Sequence, residues 1–118
     1  MNRLRLAGAL LLLALASPAY AHSRLDTLED VNWRVNGFPL TDCRAFAFEK
    51  GRRLARLGIP SDLVITQTKD GTPHLIVVVD KKWALDNLQT RVVTIDQLRA
   101  AGYFIASGGW VPSSVPPR

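Results

Sequence analysis

The N-terminus of the chain has the pattern of a cleavable secretory signal peptide, and this pattern limits what the remaining residues can fold into. Arg3 and Arg5 precede an unbroken apolar run over residues 6–16, which is followed by the small-residue triplet Ala19-Tyr20-Ala21. The run of 11 residues is shorter than the roughly 18 that indicate a membrane span. Cleavage after Ala21 is expected to leave 97 of the 118 residues, which suffice for one small domain.

The predicted export and the single cysteine indicate the compartment of this domain and how it can be stabilised. The chain has 15 lysines and arginines and 10 acids, and removal of residues 1–21 lowers its formal charge from +5 to +3. Cys43 is the only cysteine, so the domain has no internal disulfide to strengthen a thin core. We expect a periplasmic or secreted protein without an integral membrane span. Nucleic acid is not expected as a partner, because the chain is exported and is not expected to expose aromatic residues interleaved with its basic ones.

The periodicity of the remaining chain predicts an α+β fold. Apolar spacing predicts helices over residues 25–35 and 43–57, the second capped by Asp42 or Thr41 and ended by Gly58. A capping box at residues 94–97 predicts a third, short helix. Predicted strands are the β-branched or apolar runs at residues 63–68, 74–79, 83–87 and 103–106. The predicted organisation is a signal peptide over 1–21, one domain over 22–107 and a flexible C-terminal tail over 108–118.

The turn after the second strand decides which residues share a face of the sheet. A two-residue loop over 81–82 would place His74 and Asp86 on opposite faces. A three-residue loop over 80–82 pairs Ile76 with Asp86 and places His74 on the same face, one diagonal step away. We predict the three-residue loop, because this register lets the imidazole and the carboxylate form a hydrogen bond. A bulge in either strand would have the same effect.

Three side chains are candidates for a nucleophilic site. Cys43 stands at the predicted start of the second helix, where the helix dipole favours the thiolate. His74 is a candidate base, and Asp86, which interrupts an apolar strand, is a candidate for orienting its imidazole. The alternative is a buried structural cysteine, a histidine at a strand edge and a surface aspartate.

The sequence around these positions resembles the bacterial transglutaminase-like cysteine proteinase family. The similar segments are VNWRVN at residues 31–36, DCRAFA at 42–47 with Lys50, Leu54 and LGIP at 57–60, HLIVV at 74–78, and LDNL at 85–88. Together they span most of residues 28–105. The resemblance implies a papain-like transglutaminase core, in which the nucleophile helix packs on a small antiparallel sheet. It also implies a Cys43–His74–Asp86 triad, and it matches Lys50, which interrupts the apolar face of the second helix, to a lysine of the family pattern.

The resemblance implies an exported cysteine peptidase or amide hydrolase that acts on a protein or peptide through a thioester intermediate. For this chain we expect neither a cofactor nor a metal. The alternative is a catalytically degenerate relative that binds a peptide or a partner protein in the same cleft. The short stretch over residues 37–42, between VNWRVN and the cysteine, favours this alternative, because in the family that region helps to build the substrate cleft.

Two further interpretations concern histidine and arginine residues. His22 would become the N-terminal residue after cleavage and could bind Cu(II) through its amino group and imidazole, with His74 as a second ligand. The predicted second helix has a basic face that could contact an anionic polymer or a membrane surface, or could simply be solvated. This face carries Arg44, Arg52, Arg53 and Arg56.

We predict that no calcium site lies beside Cys43. The family pattern reads Gly-Asp-Cys-Glu-Asp, and acids around the cysteine bind calcium in its adhesin-cleaving periplasmic members. Here Thr41, Arg44 and Ala45 replace the glycine and both later acids, whereas calcium takes about six to eight oxygen ligands. The melting temperature should therefore be equal in calcium and in EDTA. A stabilisation of several degrees by calcium that Asp42→Ala abolishes would contradict this prediction.

Overall fold

The computed structural model describes residues 24–113, which form a small α+β domain with three helices and a five-stranded antiparallel sheet. The helices are α1 over 24–36, α2 over Cys43–Arg56 and α3 over Ile95–Ala100. The strands are β1 (Asp62–Gln67), β2 (Pro73–Val79), β3 (Trp83–Leu85), β4 (Val93–Thr94) and β5 (Val111–Pro112), in the spatial order β4-β3-β2-β1-β5. The predicted signal peptide, His22 and residues 114–118 lie outside the described residues. Within residues 24–113, no helix is both long and apolar enough to cross a membrane.

The sheet separates two layers of apolar side chains. On one face, α1 and α2 cover the core cluster whose buried members are Leu28, Val31, Val35, Ala47, Leu54, Ile59, Val77, Val79, Leu85 and Val92. On the other face, α3 and the segment after it pack against the sheet. The buried members of this second cluster are Val64, Ile76, Val78, Ala84, Ile95, Leu98 and Ile105. Strand β2 contributes to both clusters, so it is buried on both faces, and its nearly continuous apolar sequence is typical of such a strand.

Helix α2 begins and ends close to the predicted positions. The Asp42 carboxylate caps it by accepting a hydrogen bond from the Ala45 N–H at 2.9 Å. Gly58 follows the helix with φ +74°, a left-handed conformation that favours glycine. The helix ends one residue before the predicted position, at Arg56, so Leu57 is its C-cap and is 56% exposed.

The hairpin between β2 and β3 has the predicted three-residue loop. Val79 pairs with Trp83 and Val77 pairs with Leu85, so residues 80–82 form the connection. Asp80 and Lys81 both adopt positive φ values, 56° and 53°. Continued by one residue, this register sets residue 76 opposite residue 86 and confirms the parity on which the candidate site depends.

The third predicted strand ends earlier than the sequence suggested, because Asp86 begins a turn. Strand β3 stops at Leu85. The Asp86 carboxylate accepts a hydrogen bond from the Leu88 N–H at 2.9 Å, and its backbone carbonyl accepts one from the Gln89 N–H at 3.1 Å. Aspartate commonly forms such local bonds and thereby competes with strand pairing.

The predicted last strand over residues 103–106 is absent from the described sheet. Only Phe104 forms a bridge, to Gln67, and the Tyr103 N–H instead donates to the Leu98 carbonyl at the end of α3. Within the region assigned to the tail, Val111 and Pro112 form β5 and pair with Leu63 and Asp62. Proline is compatible with this position because an edge strand needs no donor on its outer side.

The C-terminal segment also sets a steric limit on α2, from which we predict a coupling between Gly51 and Ser113. A Cβ atom on Gly51 would lie 2.8 Å from the Ser113 Cβ. In a helix interior, Gly→Ala ordinarily stabilises by about 1 kcal/mol, but here the new methyl group would displace Ser113, the residue that follows β5. Gly51→Ala alone should therefore gain less than this amount, and Ser113→Gly should restore the gain. Urea unfolding of both single variants and the double variant measures the coupling, and strictly additive effects would contradict it.

Candidate active site

The buried carboxylate of Asp86 is the centre of the candidate site. Its Oδ1 is 2.6 Å from His74 Nε2 and also accepts the Leu88 N–H, while its Oδ2 accepts a hydrogen bond from the Tyr103 hydroxyl at 2.7 Å. Burial by itself would raise the pKa of Asp86, but the hydrogen bonds from His74, Leu88 and Tyr103 outweigh it and hold the pKa below its usual value. The carboxylate is therefore ionised at neutral pH.

The ionised carboxylate fixes the proton arrangement of His74. A carboxylate without a proton can only accept a hydrogen bond, so the Nε2 atom of His74 is the donor. In the neutral imidazole, Nδ1 then carries the lone pair, and it has no hydrogen-bond partner among residues 24–113. The ring is buried and packs edge-on against Tyr103, with ring centroids 6.1 Å apart. The histidine is thus held in one tautomer and one orientation.

Tyr103 supports Asp86 as a neutral hydrogen-bond donor. Burial, together with the hydrogen bond to Asp86, raises the pKa of Tyr103 to about 12. Its hydroxyl therefore keeps its proton across the neutral range. Tyr103 was predicted only as part of a strand over residues 103–106, and no sequence motif around it indicated a role in the site.

Cys43 occupies the first position of α2 and is partly buried. Its Sγ accepts a hydrogen bond from the Leu75 N–H at 3.5 Å. Leu75 packs in the layer of α1 and α2, whereas His74 contacts Tyr103 in the opposite layer, as expected for neighbours on a strand. Within the described part of the chain, no hydrogen bond joins the thiol to the imidazole. The structure thus brings His74 and Asp86 into contact and places Cys43 against the next residue of β2.

The first turn of α2 provides backbone donors beside the thiol. Asp42 uses the N–H of Ala45, while the N–H groups of Cys43 and Arg44 meet no acceptor within residues 24–113. Free N–H groups at a helix start can stabilise an oxygen that gains negative charge.

A polar network behind the site explains two features of the sequence that had no assigned function. The buried Lys50 Nζ donates to Asn32 Oδ1 at 2.8 Å. One helical turn later, Asn36 Nδ2 donates to the carbonyls of Gln89 at 3.1 Å and of Asp86 at 3.3 Å. The repeated Val-Asn pair of residues 31–36 therefore holds the segment that carries Asp86, and Lys50 is buried because α1 supplies its acceptor. The four-residue spacing of the two asparagines was the sequence pattern from which this role could have been inferred.

Two cavities lie near these residues. A groove of about 550 Å³ opens beside Cys43 and His74, within the range of about 300–1,000 Å³ typical of ligand sites. A larger cavity of about 780 Å³ lies between the end of α1 and residues 87–90 and includes none of the three predicted site residues. Of these two cavities, only the groove has both Cys43 and His74 on its wall, so it is the candidate site.

The structure also bears on the basic face of α2 and on metal binding by His74. Arg52 and Arg53 lie 3.3 and 3.0 Å from the Glu49 carboxylate, which neutralises part of the basic face of α2. His74 uses its Nε2 for Asp86. Within residues 24–113, no three His, Cys, Asp or Glu side chains form a group that could hold a metal ion.

Comparisons of the chain with models of protein families, with curated proteins and with solved structures find no match.

The buried Lys50 predicts a specific dependence of stability on pH. Burial lowers the pKa of Lys50 from 10.5 to about 8, although the negative charge of Asp86 partly opposes this shift. Between pH 8 and pH 10 the unfolded chain therefore binds more protons than the folded chain, and the free energy of unfolding rises with pH. The contribution of Lys50 over this range is about 2 kcal/mol.

Urea unfolding of the wild type and of Lys50→Met at both pH values measures this contribution. The free energy of unfolding of the wild type minus that of Lys50→Met should be higher at pH 10 than at pH 8, by about 2 kcal/mol. Parallel pH dependences of the two proteins would contradict the prediction.

Proposed function

We propose that the protein is an exported cysteine hydrolase of the transglutaminase-like type, which cleaves an amide bond in a protein or peptide. The observation that carries the proposal is the buried hydrogen bond between His74 Nε2 and Asp86, beside a groove that also contains Cys43. A histidine base with an orienting acid is the arrangement that activates the nucleophile in a catalytic triad. The proposed location is the periplasm or the outside of the cell, after cleavage behind Ala21.

The proposed first half-reaction transfers the acyl group of the substrate to Cys43. His74 Nδ1 takes the thiol proton, and the thiolate attacks the amide carbonyl to form a tetrahedral intermediate. The N–H groups of Cys43 and Arg44 are the proposed donors to its oxyanion. The C–N bond then breaks, His74 returns the proton to the departing amine, and a thioester remains on Cys43.

The second half-reaction hydrolyses this thioester. His74 Nδ1 removes a proton from water as the water oxygen attacks the thioester carbonyl. The C–S bond breaks, the carboxylic acid leaves, and the thiol regains its proton. Asp86 stays ionised throughout and stabilises the imidazolium that forms in each step. Substrate binding must exchange the Sγ contact with the Leu75 N–H for one with Nδ1.

A non-catalytic peptide-binding module is the second candidate. The observation in its favour is that the thiol bonds to the Leu75 N–H and not to the imidazole. In this case the same groove would bind its ligand without acyl transfer.

Acylation by p-nitrophenyl acetate distinguishes the two candidates. We predict a burst of p-nitrophenolate and a mass increase of one acetyl group on Cys43, because His74 activates the thiol. His74→Gln should slow acylation by about 10²-fold or more, which is the usual contribution of a general base. Asp86→Asn should also slow it, because the amide can donate to Nε2 and thereby change the tautomer.

Two further variants are the controls for the acylation experiment. Cys43→Ser should abolish the thioester, and His22→Gln removes the other histidine and should leave the rate unchanged. Equal acylation of the wild type and of His74→Gln would contradict the hydrolase proposal and favour the binding module.

A further inference from the structure

The groove beside Cys43 has an apolar floor made by one face of the sheet. Ile65 of β1 pairs directly with Leu75 of β2, and Leu63 pairs with Val111 of β5. Because directly paired residues of antiparallel strands share a face, these four side chains lie on the side on which α2 packs. The floor is therefore a continuation of the face that elsewhere forms the main core.

This part of the core-facing side is left open to solvent. Ile65 is 77% exposed, Val111 is 56% exposed, and Phe48, on the neighbouring wall, is 50% exposed. The reason is that α2 begins at Cys43 and its first turns only reach the border of the groove. A contiguous exposed apolar surface of this kind marks a binding site more often than isolated exposed residues do.

The α2 wall of the groove combines this apolar surface with one positive charge. Arg44 and Phe48 are four residues apart on α2 and so lie on the same side of the helix. Among the described residues that line the groove, Arg44 alone carries a permanent charge. The Arg44 side chain is 73% exposed, and the nearest carboxylate to its guanidinium, that of Asp42, is 3.7 Å away, beyond hydrogen-bonding distance. The guanidinium thus has donors available for a second carboxylate.

We propose that the groove binds a peptide with a large apolar side chain and a neighbouring acidic side chain. The apolar side chain would cover Ile65 and Phe48, and the carboxylate of an aspartate or glutamate would pair with Arg44. This inference rests on the proposed function, since it assigns the peptide as the substrate whose amide bond is presented to Cys43. Arg44 would be the residue that determines specificity, because it alone supplies a charge to the groove.

Peptide binding to the Cys43→Ala protein tests recognition separately from catalysis. Fluorescence anisotropy would compare three end-blocked peptides that differ only at a central pair, Leu-Glu, Leu-Gln or Ser-Glu, in a Gly-Ser background. We expect the Leu-Glu peptide to bind on the order of tenfold more tightly than either of the others at low salt, because a charge-assisted hydrogen bond and apolar burial each contribute.

Two matched pairs of variants assign these preferences to residues. Arg44→Gln should remove the preference for glutamate over glutamine, while Arg52→Gln, an exposed arginine of the same helix outside the groove, should keep it. Ile65→Ser should remove the preference for leucine over serine, while Leu57→Ser, also exposed and outside the groove, should keep it. Circular dichroism would verify that each variant is folded.

Several outcomes would overturn the inference. These are equal binding of the three peptides, a glutamate preference that survives Arg44→Gln, or a dimer that Ile65→Ser dissociates, which would make a second copy the occupant of the groove.

Incubation of the wild type with the same peptides separates this inference from the proposed function. Selective binding of the Leu-Glu peptide without cleavage by the wild type would support the recognition and contradict the hydrolase. Equally fast cleavage of all three peptides would support the hydrolase and contradict the recognition.

Discussion

The hydrogen-bonded carboxylate of Asp86 is the interaction on which the rest of the candidate site depends. An ionised carboxylate in a protein interior is costly unless donors replace the water it has lost. Here the imidazole of His74, the hydroxyl of Tyr103 and the backbone of Leu88 supply them. They come from a neighbouring strand, from the segment after α3 and from the turn after β3. The need to satisfy one carboxylate therefore holds three parts of the small domain together.

The polar network behind this carboxylate explains how a domain without disulfides keeps the site in place. Lys50 and Asn32 are both buried and bind each other, and Asn36 fixes the segment over residues 86–89 from α1. Burial of a lysine opposes folding, as its lowered pKa indicates. Loss of one partner from such a hydrogen-bonded pair typically costs about 1–3 kcal/mol, because the other partner remains buried and unsatisfied. The network therefore specifies the position of α1 against the site more than it adds stability.

The open groove results from the position at which α2 begins. The helix places Cys43 against the start of β2 and covers the sheet from there onwards, so the apolar face beyond Ile65 has no helix above it. The thiol and the uncovered apolar surface consequently lie at one border of the sheet, and His74, whose ring packs in the opposite layer, also lines the groove. If the groove binds substrate as proposed, the incomplete cover of the core and the candidate chemistry have the same structural origin.

The sequence by itself determined the local features of this protein. The capping of α2 by Asp42, the capping box of α3, the three-residue hairpin over 80–82 and the burial of β2 were all predictable, because each depends on short-range hydrogen bonds or side-chain alternation. Only the tertiary structure decided that residues 111–112, and not 103–106, form the edge strand, since pairing between distant segments leaves no local pattern. It also decided that Asn32 binds Lys50, that Tyr103 binds Asp86 and that the thiol contacts Leu75, because the partners of a buried polar group come from whichever elements the packing brings next to it.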